Sequence, residues 1–356
     1  MIKIAIIGTG GMAGSHAEHL QKIRGVKITA CADMDIRRAE TFAKKFGIKK
    51  FYGDYKEMLD NEKLEGVTNV TSDRAHYPVA MEILKRKINL LSEKPLAETL
   101  EQAVEMRDLA VKSDVVNMVN FSYRNSSGLQ KAAEIIRSGV LGQVLHVEAS
   151  YLQSWLKSKA WGDWHDADWM LWRLSSDQGG AGALGDIGCH IFDLTCLLTN
   201  EKIVDISTRL YTHSKDREPG YEVCGKKYAL DCNNSFVSHV EFGGGGVGVI
   251  HVSHGCIGQS NSLRCRVYCS KGAIEIDLDK AYDEYRICSG KNIDKNIWKT
   301  VKCKRTPNNY ERFVKAIKTN SRSEDGNDFA NGCAIQGYLH YSFLSAAEKK
   351  PEKIVL

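Results

Sequence analysis

The sequence predicts an α/β N-terminal domain with a doubly wound parallel sheet, followed by an α+β C-terminal domain with a large, mostly antiparallel open sheet. Three observations predict it. Apolar strand runs alternate with helical patterns over the first 120 residues, as in a parallel sheet covered on both faces. A glycine-rich turn, Gly8-Thr9-Gly10-Gly11-Met12-Ala13, follows the first of those runs. Beyond residue 120 the alternation stops and the chain becomes rich in strands. The domains are therefore expected at 1–121 and 122–356.

In chain order, strands are expected at Ile2–Ile7, Val26–Ala32, Val67–Thr71, Asn89–Ser92 and Val115–Asn120, with helices near 14–24, 36–46, 76–87 and 98–113 between them. The second part opens with a helix near 126–138 and a strand over Leu145–Gln153. An irregular, Trp-rich stretch, Ser154 to Gly182, precedes a helix from Asp186 to Leu198. Strands then dominate from 203 to 303. Leu263, Cys265, Val267 and Cys269 alternate with Arg264, Arg266 and Tyr268, the period of a half-buried strand. Gly243 to Gly246 separate Phe236–Phe242 from Val247–Ser253 as a hairpin turn would. Helices at Asn308–Lys318 and Cys333–Glu348 close the chain. One face of the second sheet can pack on helices. The other must meet water or another copy, so a homodimer or homotetramer through that sheet is expected.

Composition narrows the function classes. The chain has 356 residues, 43% of them hydrophobic and 26% charged, with a net charge of +5. The basic residues are interspersed with acids, so no nucleic-acid partner is expected. No apolar run reaches the roughly 20 residues that cross a bilayer, so no membrane partner is expected either. There are 11 Cys but no CxxC spacing, and no metal is expected. The first residues run straight into a strand rather than a leader peptide, and a reduced, cytoplasmic location is expected.

Gly8-x-Gly10-x-x-Ala13 directly follows a buried strand and opens a helix, the context a dinucleotide site needs. Gly8 makes the tight turn, Gly10 admits the pyrophosphate to the backbone, and the helix N-terminus supplies unpaired N–H groups. Asp33 ends the second strand, where its carboxylate can accept from the adenosine ribose hydroxyls. It would repel a 2′-phosphate, which favours NAD. Arg37 and Arg38 can pair with that phosphate, so NADP stays open.

The remaining chemistry lies in a split constellation. Lys94 follows a strand at the carboxyl edge of the parallel sheet, and Pro95 holds it extended. Asp186 and His190 fall one turn apart on one helix face with Asp193, away from the buried stripe Ile187, Ile191, Leu194 and Leu198. An ammonium can favour an alkoxide, an imidazole can take the hydroxyl proton, and a carboxylate can stabilise the imidazolium. The bland alternatives are a surface lysine, a helix-capping Asp and a surface His.

The motifs in this order resemble the glucose–fructose oxidoreductase / inositol dehydrogenase (Gfo/Idh/MocA) family over nearly the whole chain. That family's hallmark tripeptide matches Glu93-Lys94-Pro95. Its Thr-Pro-Asn-x-x-His motif corresponds to Thr71 to His76, with Ser72 for Pro and Asp73 for Asn. Asn120 to Arg124 resembles the domain-crossing segment, Gly182 to His190 the catalytic motif with Cys189 where Ser is common, and Phe329-Ala330-Asn331-Gly332 the C-terminal signature. A narrower similarity, through Tyr151 to Leu156, Trp172 to Leu174 and Ser253 to Gly258, is to the levoglucosan and sugar dehydrogenase branch, with His254 where Arg is usual.

The resemblance implies a Rossmann fold, a cis Lys94–Pro95 bond and Lys94, Asp186 and His190 as catalytic residues. It implies cofactor contacts from Gly8, Thr9, Gly10, Gly11, Met12, Asp33, Arg38, Thr71, Ser72, His76, Glu93, Lys94 and Asn120. It implies substrate contacts from Lys94, Tyr123, Gln153, Trp155, Trp172, Arg173, Asp186 and His190. Arg124 is a further cleft candidate.

Trp155, Trp161, Trp164, Trp169 and Trp172 are either a wall for the apolar faces of a sugar ring or fasteners of their own loop. Asp163, His165 and Asp168 would then serve the ring hydroxyls. The expected function is NAD(P)-dependent hydride transfer at a ring hydroxyl of a sugar, sugar derivative or cyclitol. An NAD-retaining enzyme that cleaves or epimerises glycosides through a transient keto sugar is the alternative, and a non-catalytic dinucleotide or sugar sensor the third.

Overall fold

The computed structural model describes residues 1–213, 220–321 and 326–355, apart from the side chain of Asp168. Two compact units emerge: Met1–Ser122 with Pro307–Gln336, and Tyr123–Thr306 with Gly337–Leu356. A single cut after residue 121 assigns 307–336 to the second unit, whereas their contacts group them with the first. The physical reason is apolar burial. Tyr310, Phe313, Val314 and Ala316 on the helix Asn309–Thr319 complete the core formed by Ile2, Ile4, Ile6, Leu20 and Ile28.

The first unit is a six-stranded, wholly parallel sheet: β1 (Ile2–Ile7), β2 (Val26–Ala32), β3 (Lys50–Tyr52), β4 (Gly66–Asn69), β5 (Asn89–Ser92) and β6 (Asn117–Val119), in the order β3-β2-β1-β4-β5-β6. Its strand order reverses between β1 and β4, and ligands of open α/β sheets bind outside the carboxyl ends at such a point. The sequence reading lacks β3 and the helix Tyr55–Asn61 that follows it. The strand is short, its residues Lys50-Phe51-Tyr52 lie at the sheet edge, and neither period is established over so few positions.

The second unit carries a nine-stranded sheet in which Val144–Gln153 pairs parallel with Val247–Ser253 and every other pairing is antiparallel. The hairpin and the half-buried strand Asn261–Cys269 are as expected. The helices Ser127–Arg137 and Cys189–Thr199 lie against one face. The opposite face carries a cross-strand charge row, Glu148–Arg266–Glu275–Arg286, each residue directly opposite the next. The guanidiniums of Arg266 and Arg286 lie 5.8 and 5.4 Å from the Trp298 ring. Long arginine stems and paired charges let a sheet face remain uncovered without a continuous apolar surface.

The Trp-rich stretch forms a small satellite core. Trp155, Leu156, Trp164, Met170, Leu171 and Leu174 pack with Tyr228 and Leu230, next to the ribbon Tyr221–Val223/Lys226–Tyr228. No helix of the described residues is long and apolar enough to cross a membrane.

Candidate active site

In the first unit the expected cofactor residues gather at the carboxyl ends of the strands. Gly8 follows β1 with φ +87, and a Cβ there would stand 2.4 Å from the Val70 carbonyl oxygen. Only glycine allows the turn to pass so close to the end of β4. A Cβ on Gly10 or Gly11 would meet nothing within 4 Å, and Met12 is exposed, so the start of the helix Gly11–Gln21 is open to a ligand. Asp33, beyond β2, accepts at Oδ2 from the Thr9 amide and hydroxyl, both at 2.9 Å, and at Oδ1 from the Asp35 amide at 3.0 Å. A carboxylate has about four lone-pair sites, so it retains capacity for ribose hydroxyls while the Thr9 contacts fix its direction. The Arg38 side chain is largely exposed, its Nε 3.8 Å from Asp33 Oδ1. These residues fit a dinucleotide: an open backbone turn for the phosphates and an oriented acceptor one strand away.

The strand ends β4, β5 and β6 place the others. Thr71 Oγ1 donates to Asn69 Oδ1 at 2.8 Å, and Ser72 precedes the helix Asp73–Lys85 without a side-chain cap bond. His76 is buried, its ring nitrogens 2.7 Å from the Pro95 carbonyl and 3.1 Å from that of Thr71. It therefore holds together the segments after β4 and β5. The Lys94–Pro95 peptide is cis, as the resemblance implies. Lys94 itself is half-buried.

Glu93 is almost wholly buried. His16 Nε2 donates to its Oε1 at 2.8 Å, Asn120 Nδ2 to the same oxygen at 2.7 Å, and the Lys94 amide to Oε2 at 3.2 Å. Asn120 in turn reaches Tyr310 and accepts from Asn309 Nδ2 at 2.9 Å. Burial raises the Glu93 carboxyl pKa, but the His16 hydrogen bond and charge, then Asn120 and Lys94, outweigh it and bring it to about 2. Burial and the Glu93 charge push Tyr310 up to about 12. Glu93 and Asn120, expected to contact cofactor, thus have their polar atoms engaged in anchoring the root of Lys94.

In the second unit the motif Gly182 to His190 enters its helix through a wide π-type turn, Leu184–Gly188, before regular winding over Cys189–Thr199. A Cβ on Gly188 would stand 3.0 Å from the Phe236 ring, so glycine lets this turn approach the sheet. The stripe Ile187, Ile191, Leu194 and Leu198 is buried as expected. The other face is not the open one that the periodicity predicts. His190 is buried, and Asp193 pairs with buried Arg124, Nη2 to Oδ1 at 2.6 Å and Nε to Oδ2 at 2.8 Å. A π turn adds a residue to the winding, so a 3.6-residue count across Asp186 and His190 does not carry through. Arg124, a cleft candidate, serves as the counter-charge of Asp193.

The His190 ring lies edge-on to Tyr123, with centroids 5.0 Å apart, and 6.3 Å from the Tyr151 ring. Asp186 Oδ2 is 3.2 Å from Arg173 Nε and 3.7 Å from Nε2 of fully buried His254. The guanidinium of Arg173 stacks on half-buried Trp172 at 4.6 Å. Trp155 and Trp164 are core residues, and Trp161 and Trp169 are exposed. Gln153 and Trp155 are buried with their polar atoms turned toward each other, the indole N–H donating to Gln153 Oε1 at 3.1 Å. Asp163 holds His165 Nδ1 at 2.5 Å and Lys159 at 2.8 Å on the satellite loop.

Residues 2–121 match the oxidoreductase family with an NAD-binding Rossmann fold, and residues 129–275 match the GFO/IDH/MocA C-terminal domain. The chain belongs to the GFO/IDH/MocA oxidoreductase family. NAD is the cofactor of this fold. Among curated relatives, levoglucosan dehydrogenase of Pseudarthrobacter phenanthrenivorans is 24% identical over 77% of this chain and 70% of its own length. Glucose-6-phosphate 3-dehydrogenase of Bacillus subtilis is 29% identical over 61% of this chain and 60% of its own length. The solved levoglucosan dehydrogenase complex with NADH superposes with a TM-score of 0.87 at 21% identity, covering 99% of both chains, which establishes the shared fold.

Sequence reasoning did not foresee that Asn261 meets the Tyr151 hydroxyl at 2.7 Å and that of Tyr123 at 2.9 Å, nor the placement of His254 near Asp186. Asn261 opens an ordinary strand, and His254 was read only by its position in a motif. Nothing in local periodicity marks either one.

Two outcomes are expected. Glu93→Ala should destabilise the chain by about 3–5 kcal/mol, because His16 and Asn120 lose their buried partner. The folded Glu93 carboxyl lies below its reference value of 4.5, so its contribution is full above that pH and is lost as pH falls toward about 2. Denaturant melts across this acid range should show a steep loss in the parent that the variant lacks. Asp33→Ala should weaken NAD binding by about tenfold, the scale of one charge-assisted hydrogen bond, and narrow the preference over NADP. Calorimetric titration with each dinucleotide measures both, and unchanged affinities would remove Asp33 from the cofactor site.

Proposed function

We propose that this chain is an NAD-dependent dehydrogenase that oxidises a ring hydroxyl of a sugar, sugar derivative or cyclitol. The observation that carries the reading is Lys94. It bears an ammonium at the carboxyl edge of the same sheet whose first turn is open for the dinucleotide, and its root is held by the buried Glu93. The names of the sugar and inositol dehydrogenases among its relatives support the substrate class.

When bound, NAD supplies the acceptor for the hydride that leaves the carbinol carbon. His190 takes the hydroxyl proton on a ring nitrogen. Lys94 donates a hydrogen bond to the same oxygen and favours its alkoxide form as the carbonyl develops. Asp186 stabilises the imidazolium, and Arg173 and His254 hold that carboxylate in place. The phenols of Tyr123 and Tyr151 orient the imidazole from the side. The cofactor contacts proposed for Gly8 to Met12, Asp33, Thr71 and Ser72 follow from their place at the strand ends. The substrate contacts proposed for Tyr123, Trp172 and Arg173 follow from their place around Asp186 and His190.

The test is a panel of sugars and cyclitols read by NADH absorbance. Turnover with added NAD is expected for at least one. With that substrate, Lys94→Ala and His190→Ala should each lower kcat by at least about a hundredfold, the scale of a lost acid–base or charge-stabilising group, with NAD affinity nearly unchanged. Turnover at the parent rate in either variant would remove that residue from the mechanism. The uncovered face of the nine-stranded sheet is proposed as the contact between copies. Light scattering should give a dimer or tetramer, and a stable monomer at micromolar concentration would refute it.

A further inference from the structure

We propose that the indole of Trp155 sets the direction of a buried hydrogen-bond circuit that pins the phenol protons of both Tyr123 and Tyr151, so that Tyr123 meets a ligand hydroxyl as an acceptor. The final step, from circuit to ligand, rests on the dehydrogenase reading, whereas the circuit itself does not.

The circuit is read from its one donor-only group. An indole N–H can donate and has no acceptor. Trp155 Nε1 lies 3.1 Å from Gln153, and the amide must present its oxygen there. The Gln153 nitrogen is therefore on the other side, where it donates to Asn261 Oδ1 at 2.8 Å and to the Tyr151 oxygen at 3.2 Å. This fixes the second amide in turn. Asn261 faces Gln153 with its oxygen, so its nitrogen points at Tyr123, donating to that phenol oxygen at 2.9 Å. Tyr151 stands 2.7 Å from the same Asn261 oxygen, a pure acceptor, and has to place its proton on it. The remaining contact joins Tyr123 to Tyr151. Since the Tyr151 proton is committed to Asn261, Tyr123 donates and Tyr151 accepts. The result is a closed ring running Tyr123 to Tyr151 to Asn261 and back, with every donor used in one sense.

Reversal of either amide would set donor against donor. An inverted Gln153 would put its NH2 against the indole N–H. An inverted Asn261 would put its NH2 against that of Gln153. Each mismatch leaves buried polar groups without partners, and Tyr151, Gln153 and Trp155 are all nearly inaccessible to water. Burial, followed by the Tyr123 and Asp186 neighbours, also raises the Tyr151 phenol well above its ordinary value, so it keeps its proton.

The consequence lies beside His190, against which both phenol rings stand edge-on. Neither tyrosine has a proton to release to a ligand without breaking the ring. Proton transfer on this wall belongs to His190, and a ligand hydroxyl that reaches Tyr123 has to be the donor. Trp155, Gln153 and Asn261 are thus positioning residues acting through the tyrosines. A polyol with a free hydroxyl at that point is accepted, whereas an ether or deoxy analogue is disfavoured.

The full chain, labelled with 13C at the tyrosine ring carbon bearing the hydroxyl, tests this by NMR in equal H2O and D2O. A hydroxyl proton that exchanges slowly splits the carbon line by an isotope shift. Split lines are expected for Tyr123 and Tyr151, identified by their loss in Tyr123→Phe and Tyr151→Phe, and these two are the lines followed. Gln153→Glu keeps the acceptor for Trp155 and removes both amide donors. Trp155→Phe keeps an aromatic ring and removes the N–H. Both variants should collapse the split lines while melting as cooperatively as the parent. If Trp155→Phe does not fold, Gln153→Glu decides alone. Split lines unchanged in the folded variants would overturn the proposal, whatever the substrate proves to be. Collapse in a protein without dehydrogenase activity would sink the reaction and leave the circuit. With a substrate in hand, Gln153→Glu should raise KM by about tenfold with kcat within about twofold, and the KM penalty of the deoxy or ether analogue should shrink.

Discussion

A carboxylate removed from water must find donors for its oxygens, and in the first unit that requirement falls on Glu93. Its partners come from separate elements: His16 from the first helix, Asn120 from beyond β6, and the adjacent Lys94 amide. Through Asn120 the network reaches Asn309 and Tyr310 on a helix nearly two hundred residues later in the chain. His16 and His19 both pack against the Tyr310 ring, at 5.0 and 4.8 Å. One ionised group therefore ties together the glycine-turn helix, two strand ends and the late helix. A displacement of any of them would leave a buried charge short of donors. The same group fixes the backbone from which Lys94 projects, so the placement of the proposed catalytic cation follows from a folding constraint.

The second unit applies this logic twice. The helix Cys189–Thr199 is buried on most sides, and its one interior carboxylate, Asp193, is matched by the fork of Arg124. Asp186, in the wide turn before that helix, takes Arg173 and His254 instead. The two carboxylates, seven positions apart on the chain, have different fates. One is sealed in a bidentate pair that holds the helix down. The other remains partly accessible, with the Arg173 guanidinium beside it. The proposed base would need the second environment, because a fully neutralised, inaccessible carboxylate has no field left to offer a developing imidazolium.

Much of this was legible in the sequence. Strand alternation, the glycine turn and Asp33 just beyond β2 carry the first unit, because each is a local pattern with a local cause. The buried stripe of the 189–199 helix was legible for the same reason. Its other face was not, because the π turn breaks the count that relates Asp186 to His190. The assignment of 307–336 to the first unit was also hidden, since amphipathic periodicity says that Phe313 needs a core but not which core. Glu93 and Asn120 were expected from their motifs as cofactor contacts, while their engagement with His16 and Tyr310 is a property of tertiary contact alone.

The tryptophans make the limit concrete. Five of them within eighteen residues state that this segment has a large apolar area to cover, and both a sugar platform and a loop fastener satisfy that statement. The structure divides them. Trp155 and Trp164 close the satellite core against Tyr228 and Leu230. Trp172 is half-buried under the Arg173 guanidinium, which also reaches Asp186. Stacking on Trp172 confines that guanidinium to a plane, and a confined guanidinium is a better anchor for a carboxylate than a mobile one. Aromatic mass here serves polar geometry: Trp172 steadies a charge, and Trp155, through a single N–H, orients an amide. A segment read by its hydrophobicity is therefore understood through its hydrogen-bond donors, which composition does not weigh.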